Sequence, residues 1–600
     1  MNELVLQPIL KLGVDLGFSC ALAGVAGLLS HHLYFIRGFH VLNATKITCI
    51  HLFAFALLLA RAAAENGFLP GARSAVAIFS SYLAVLFLSI AIYRVAFHPL
   101  RRFPGPFPAK VTKLYGPWLA RNKRIGDEFR VLHQKHGHFV RVGPNEISIS
   151  HADALKQIHG LQTACSKKNN ASYEAIQFRG EHNLDSLTDH AEHRQRRKVW
   201  DKALSKATAL TYEAETRIVV KSWLDQLERL HGASVDTSLY AKHIACDNMG
   251  RIGYSRDFRN IQGDGDSRMF DMIEITFRTM SKLGQLIWPL VLLFSLPRFG
   301  LQKKFEELSV ALVDERLKRH NDSEDLHDIM RLFIEDFLSS KPQAFWNRNI
   351  LYADAQAIMV ASTETIACSL SFSFFFVARD AALQRQLREA IAPAYGRTLP
   401  GEFTMADLQG IEFLDAVINE TLRLCAPVPL NGPRSTPPQG IEIGGTYIPG
   451  NVHIYTPPHV YHRNPEYFQY PDEFIVERWL TRPELILDKR AFLPFSLAGR
   501  YDCVGKSVAL NVLRLTLAYT VWHYDFELAP GQSDSAFMNG YVDQIVVKPA
   551  PLKCIFTKWS RPGERGQGSA VEAGKEYPGA VQDDDLPELR QRFGRAQSTR

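Results

Sequence analysis

Phe495-Ser-Leu-Ala-Gly-Arg-Tyr-Asp-Cys503-Val-Gly-Lys506 places one thiol at the end of a glycine-bearing loop, directly ahead of a strongly helical run over 507–522. The amide groups and positive end of a helix favour the thiolate, which is the form that binds metal. Taken alone, a cysteine is more often a small buried hydrophobe, so the rest of the chain has to decide. The other cysteines, at 20, 49, 165, 246, 368, 425 and 554, form no C-x-x-C pair and no zinc spacing. Their scatter is not a disulfide framework either, which suits a main domain in a reducing compartment.

With 600 residues, 46% apolar and 22% charged, the chain reads as globular and large enough to enclose a cofactor fully. A net charge of +7 is modest at this length. It fits an acidic docking partner or an anionic membrane surface. No concentrated basic stripe with interleaved aromatics is present, which argues against nucleic acid.

Residues 16–36 and 75–93 run for 21 and 19 positions without a formal charge, long enough to span a bilayer. Residues 47–60 give only 14 positions between Lys46 and Arg61, a thin third span or a re-entrant piece. Three apolar segments with no small-residue cleavage pattern argue against a removable signal peptide. Residues 1–98 are therefore expected to be a membrane anchor with two or three transmembrane segments. Arg94, Arg101, Arg102, Lys110 and Lys113 follow the last segment and place what comes next in the cytosol. Three spans then put the N-terminus in the lumen and two put it in the cytosol. The sequon Asn43-Ala-Thr45 helps to separate these cases, because only a lumenal loop is glycosylated. Four prolines in His98-Pro-Leu-Arg-Arg-Phe-Pro-Gly-Pro-Phe-Pro108 favour an extended, stiff hinge over 99–108.

The body beyond the hinge is mainly α with a small β region. Helical periodicity dominates 120–430, with a strand-turn-strand pattern at 139–150 and short strands around glycines at 441–455. After residue 560 the apolar pattern gives way to Gly, Pro and charge, so 561–600 reads as a disordered tail. A helix over 350–376 is apolar nearly all round, as a core helix must be. Within it stands Ala361-Ser-Thr-Glu364-Thr365, with Val360, Ala361, Ala367 and Cys368 three and four residues from Glu364. A buried acid without a polar face is costly unless it meets water or a cofactor. Beside a threonine hydroxyl it is suited to proton transfer; otherwise it is a structural carboxylate reaching another helix. Glu420-Thr-Leu-Arg423, on a helix over 411–425, sets an acid and a base on one face. Arg478, in Pro471-Asp-Glu-Phe-Ile-Val-Glu-Arg-Trp479, completes a potential Glu–Arg–Arg set.

In this order the acid–threonine helix, the E-x-x-R helix, the F-x-x-E-R-W segment and the cysteine loop resemble the cytochrome P450 superfamily. With the proline hinge and Arg141-Val-Gly-Pro-Asn-Glu146, they look most like microsomal members from filamentous fungi. The resemblance covers residues 99–560 and implies a cytochrome P450 fold preceded by transmembrane helices. It implies haem b with Cys503 as the axial iron ligand, and Glu364 and Thr365 as the oxygen-activating pair. Glu420, Arg423 and Arg478 become the structural triad. His193 and Arg197, in His193-Arg-Gln-Arg-Arg197, and Arg434, after Asn431-Gly-Pro, become propionate contacts. This sequence departs from the family pattern at three places. Phe495 stands eight residues before Cys503 instead of seven, with Ser496 at the usual phenylalanine position. Tyr501, with Arg500 beside it, stands where an arginine usually meets a propionate. Ser362 replaces a usual glycine.

The activity implied is that of a monooxygenase that hydroxylates or epoxidises an apolar small molecule, as in fungal secondary metabolism. Electrons would come from NADPH through NADPH-cytochrome P450 reductase, with cytochrome b5 as a further partner, at the endoplasmic reticulum membrane with the domain facing the cytosol. Two alternatives stand beside it. A reductase-independent haem-thiolate isomerase or dehydratase would need no Glu364–Thr365 pair, and a non-catalytic membrane haem protein would rest on the irregular cysteine loop alone.

Overall fold

The computed structural model describes residues 15–265, 268–283, 286–294, 301–322 and 326–560. Residues up to Thr557 form one unit, and the expected disordered tail at 561–600 lies outside the described residues.

The apolar stretches ahead of residue 98 fold as α1 (Leu16–Ser30), α2 (Ala44–Asn66) and α3 (Phe68–Ile92). With their short continuations they run Leu16–Phe35, Val41–Asn66 and Phe68–Phe97, each long and apolar enough to cross a membrane. The middle segment is thus a full-length helix and not a thin one. Lys46 and Arg61 end the apolar run without ending the backbone hydrogen bonding, and Arg61 pairs with Glu65 one turn on at 3.0 Å. Only 11%, 6% and 17% of these apolar windows is buried within the protein, against 78% for the apolar window of Arg348–Ala378. The first three therefore turn their apolar surface outward, and the fourth is a core helix.

Pro99 and Pro108 sit in the first turns of the short helices Pro99–Arg102 and Phe107–Val111, where the missing N–H has no intrahelical partner to lose. The hinge therefore alternates tight turns with extended residues instead of running extended throughout. It is also fastened to the domain. Leu100 is fully buried with Ile147 and Ile149, and the Pro104 carbonyl accepts the Arg141 N–H at 2.7 Å.

The sheet beneath the hinge contains β1 (Phe139–Gly143), β2 (Glu146–Ile149), β3 (Arg434–Ser435) and β4 (His453–Tyr455), in the order β1-β2-β4-β3. β1 and β2 form the expected antiparallel hairpin, β2 and β4 run parallel, and β3 pairs antiparallel with β4. Parallel pairing across so long a separation needs an intervening crossover. Here most of the helical body supplies it: α4 (His190–Ala203), α5 (Thr237–Tyr254), α6 (Arg268–Leu283), α7 (Arg348–Ala378) and α8 (Glu412–Leu424). α9 (Lys506–His523) and a hairpin of β5 (Val542–Gln544) with β6 (Val546–Lys548) follow. α7 starts at an Asn347 side-chain cap on the Ile350 N–H and packs against α5, α8 and α9 in one continuous core.

Glu420 and Arg423 meet on α8, one turn apart, with Arg478 closing the set; all three side chains are fully buried. The Glu420 carboxylate accepts from Arg423 at 2.8 and 2.9 Å, Arg478 at 3.0 Å, Trp479 Nε1 at 2.9 Å and the Ile475 N–H at 2.9 Å. Arg423 donates onward to the carbonyls of His462, Pro471 and Glu473, and Arg478 to those of Gln469, Tyr470 and Leu485. A buried charge set of this kind is tolerated only when its donors are satisfied. Glu420→Ala leaves two buried guanidiniums without their counter-charge. We expect it to destabilise the detergent-solubilised protein by about 3–5 kcal/mol in denaturant unfolding followed by tryptophan fluorescence.

Candidate active site

The cysteine loop is pinned at several points. The Leu493 N–H donates to His462 Nε2 at 3.0 Å, and the Cys503 N–H donates to the Phe495 carbonyl at 3.0 Å. Between these anchors Ser496 adopts a left-handed conformation (φ 62°), which absorbs the extra residue immediately after Phe495. Gly499 presses on the end of a preceding helix, where a Cβ would stand 1.9 Å from the His159 carbonyl oxygen. On the other side Arg197 of α4 donates to the Asp502 carbonyl at 3.0 Å and to its carboxylate at 2.8 Å, and also to Asp201 at 2.6 Å. Burial pushes the Cys503 thiol upward, while the Gly505 N–H and the Arg197 charge favour the thiolate.

Cys503 is exposed although protein surrounds it closely enough to raise its pKa. The same combination occurs on α7. Between Ile350 and Ala378 the one exposed residue is Ala361, with Ala357, Val360, Ser362 and Thr365 half-buried around it. Ala361 and Cys503 are thus both accessible although the segments that carry them are largely enclosed by protein. The Ser362 hydroxyl is turned back to the Ile358 and Met359 carbonyls at 2.7 and 3.3 Å, and Thr365 Oγ1 donates to the Ala361 carbonyl at 2.7 Å. Glu364 lacks a polar partner on its own helix. Lys242 of α5 stands 3.7 Å from its Oε1. Burial raises the Glu364 carboxyl pKa, and Lys242 opposes that rise.

A second constellation gathers around Tyr501. The His193 ring lies 4.8 Å from the Tyr501 ring, the Arg434 guanidinium 4.7 Å above it and the Lys167 ammonium 4.8 Å above it. Arg434 also donates to the Tyr173 hydroxyl, and Lys167 to the Asp185 carboxylate at 3.0 Å. His193, Tyr501 and Arg434 thus come together. Arg197 turns to Asp502, and Arg500 turns to His190 Nδ1. Lys167, Tyr173 and Asp185 were not legible in the sequence, where they stand in a polar stretch with no helical or strand period. Burial drives the Lys167 pKa down to about 8 against the pull of Asp185, and drives His193 to about 3, which keeps that ring neutral. His193 Nδ1, His190 Nε2, Arg434 Nε and the Tyr501 hydroxyl have no hydrogen-bond partner among the described residues. Two buried cations share one carboxylate here, with four unspent polar atoms beside them. Such a cradle suits a group that carries carboxylates of its own.

A family model described as Cytochrome P450 matches residues 104–556. The chain belongs to the cytochrome P450 family. This P450 is 32% identical over 489 residues to cytochrome P450 monooxygenase orf5 of Eupenicillium brefeldianum, an alignment covering 81% of this chain and 97% of that one. It is 32% identical to cytochrome P450 monooxygenase FCK2 of Fusarium pseudograminearum, over 89% of this chain and 96% of that one. It is 30% identical to the tryprostatin B 6-hydroxylase of Aspergillus fumigatus, over 90% and 96%. The P450 is accordingly a haem-thiolate monooxygenase, an oxidoreductase supplied with NADPH electrons by a reductase partner and acting on a small molecule. Its residues fit a haem: the Cys503 thiol is accessible although protein encloses it, and the cation-rich cradle at Tyr501 matches a group with carboxylates of its own.

Gly499→Ala tests how firmly the loop is held. A methyl group there meets backbone, not a flexible side chain, so a cost of at least about 1–3 kcal/mol is expected, read as a lower thermal midpoint together with reduced haem content.

Proposed function

We propose that this P450 hydroxylates an apolar small molecule of fungal secondary metabolism, with Cys503 as the residue that would hold the haem iron and Glu364 and Thr365 handling protons. The observation that carries this reading is the single opening in α7 at Ala361, within one helical turn of both Glu364 and Thr365. Bound haem supplies the iron at which dioxygen is activated, and the chain binds, orients and tunes around it. Arg434, His193, Tyr501 and Lys167 would hold its carboxylates. Arg197 and Arg500 act from behind, through Asp502 and His190.

Ala357, Val360 and Ala361 give the opening an apolar wall, which favours an apolar substrate such as a terpenoid, polyketide or alkaloid. The Thr365 hydroxyl stands at its edge. The Glu364 carboxyl, with its proton affinity raised by burial, is suited to hold a proton close by and release it toward that hydroxyl. An isomerase or dehydratase that needs no external electrons has no use for this pair, so the arrangement favours the reductase-dependent reaction. Carbon monoxide difference spectra and turnover test the assignment. Cys503→Ala is expected to lose the thiolate-type spectrum of the reduced protein. Glu364→Gln is expected to keep that spectrum while NADPH-dependent product formation falls about 100-fold.

The anchor supports a location in the endoplasmic reticulum membrane with the domain in the cytosol, served by NADPH-cytochrome P450 reductase and cytochrome b5. Arg94 stands in the last turn of the third span and Arg101 and Arg102 follow it, as on the cytosolic side. The link between the first two spans lies on the domain's side, with Phe39 packing edge-on to His453 of β4 at 6.5 Å. Three spans then carry the residues before Leu16 to the lumen. In intact microsomes an epitope tag ahead of Met1 should resist added protease while one after Arg600 is cleaved, and Asn43 should carry no glycan.

A further inference from the structure

Four side chains from four elements form a line. Glu364 of α7 stands 3.7 Å from Lys242 of α5, Lys242 is 3.0 Å from Glu274 of α6, and Glu274 pairs with Lys548 of β6. Their exposures rise outward, 11% for Glu364, 17% for Lys242, 26% for Glu274 and 43% for Lys548, so the line runs from the interior to solvent. The signs alternate along it. The distances do not: 3.7 Å is too long for a hydrogen bond, and 3.0 Å is not. The Lys242 ammonium is committed to Glu274, while Glu364 Oε1 is buried with no hydrogen-bond partner among the described residues.

That asymmetry is unusual for a structural ion pair, because leaving a buried carboxylate oxygen unsatisfied costs free energy that a closer approach would recover. We propose that Lys242 is a positioning residue for Glu364, held off by Glu274, so that the carboxyl remains available at the α7 opening instead of closing onto its own counter-ion. The inference rests on the reading of Glu364 as the proton-handling acid.

Among the described residues, the charged or titratable groups that act on that carboxyl come from four elements. Lys242 and Cys246 come from α5, Glu274 from α6, Lys548 from β6 and Cys368 from the next turn of α7. Burial keeps both thiols neutral, well above their ordinary range. Asp271 of α6 acts on Cys246 and His243. After burial, then, the local balance is set by Lys242, which favours the carboxylate, against Glu274, which favours the acid, with Lys548 on the side of Lys242.

The two inner partners therefore act with opposite sign, and this gives the test. In full-length protein, the carbonyl stretch of the protonated Glu364 carboxyl is identified by infrared difference against Glu364→Gln and followed with pH. Lys242→Met removes the stabilising cation, so the band is expected to persist to higher pH by about one unit or more, and Lys242→Arg to return it toward the original position. Glu274→Gln removes a like charge and frees Lys242 to close on Glu364, so the band is expected to disappear at lower pH. In both variants the product formed per NADPH falls, with its pH profile displaced in the same directions. Unmoved titration in Lys242→Met or Glu274→Gln, displacement of both the same way, or opposite displacements with product per NADPH and its pH profile unchanged overturns the proposal; the last result is that of a purely structural pair. If Glu364→Gln itself leaves product per NADPH unchanged, the underlying reading of Glu364 fails instead, whatever Lys242 does.

Discussion

The Glu420 carboxylate is the constraint on which the site's geometry hangs. It sits with no solvent contact between Arg423 and Arg478, and its remaining lone pairs take the Trp479 and Ile475 N–H groups. The guanidiniums then fasten five residues of an otherwise irregular segment, from Gln469 to Leu485, together with the His462 carbonyl. His462 is the next link. Its Nδ1 meets the Arg423 carbonyl at 3.1 Å and its Nε2 accepts the Leu493 N–H. Leu493 opens the stretch that ends at Cys503. The position of one sulfur thus depends on a carboxylate far from it in sequence, through charge-assisted bonds that few other side chains can replace.

Three buried carboxylates in this protein differ in how fully their oxygens are satisfied. Glu420 is saturated with donors. Asp354, near the start of α7, is equally well served by the Leu184 N–H at 2.7 Å, Trp200 Nε1 at 2.8 Å and Arg196 at 2.8 Å, and it ties α7 to α4. Of these three only Glu364 keeps an oxygen without a hydrogen-bond partner among the described residues, and only it lies within one turn of the exposed Ala361. Its raised proton affinity follows from that shortage, since burial disfavours the charge and a cation at 3.7 Å only partly restores it. Stability argues for saturating such a group, and proton chemistry argues for leaving it short.

What could be read from the chain and what could not divides along sequence distance. The Glu420–Arg423 pair is an i,i+3 contact, and the core helix announces itself through continuous apolar character, so both were legible; α7 runs Arg348–Ala378 where 350–376 was expected. Arg478 was found through its own tryptophan-bearing segment. Lys242, Glu274 and Lys167 carry no such mark. Each is an ordinary charged residue on a helix face or in a loop, and its meaning comes from an element more than a hundred residues away in the case of Lys242 and Glu364. The middle anchor helix was underestimated for a related reason. Charge bounds an apolar run, but helices end where backbone hydrogen bonds end, and Arg61 with Glu65 carries α2 on to Asn66.

The irregular cysteine loop shows how a local departure is absorbed between two fixed ends. An extra residue between Phe495 and Gly499 must go somewhere, and the loop cannot slide at either end. Phe495 is tied to Cys503 through backbone, and Gly499 is pressed on the His159 carbonyl. The slack appears as one left-handed residue, Ser496, a conformation that costs a serine little compared with a β-branched side chain. Tyr501 needs the same kind of compensation, since a tyrosine supplies no positive charge to a carboxylate. Lys167 and Arg434 supply it, stacked over the ring that replaced the arginine. The aromatic face favours both cations there, which keeps them close to the cradle beside Asp185. The departure at Tyr501 therefore leaves the cradle's charge in place and changes only which residues carry it.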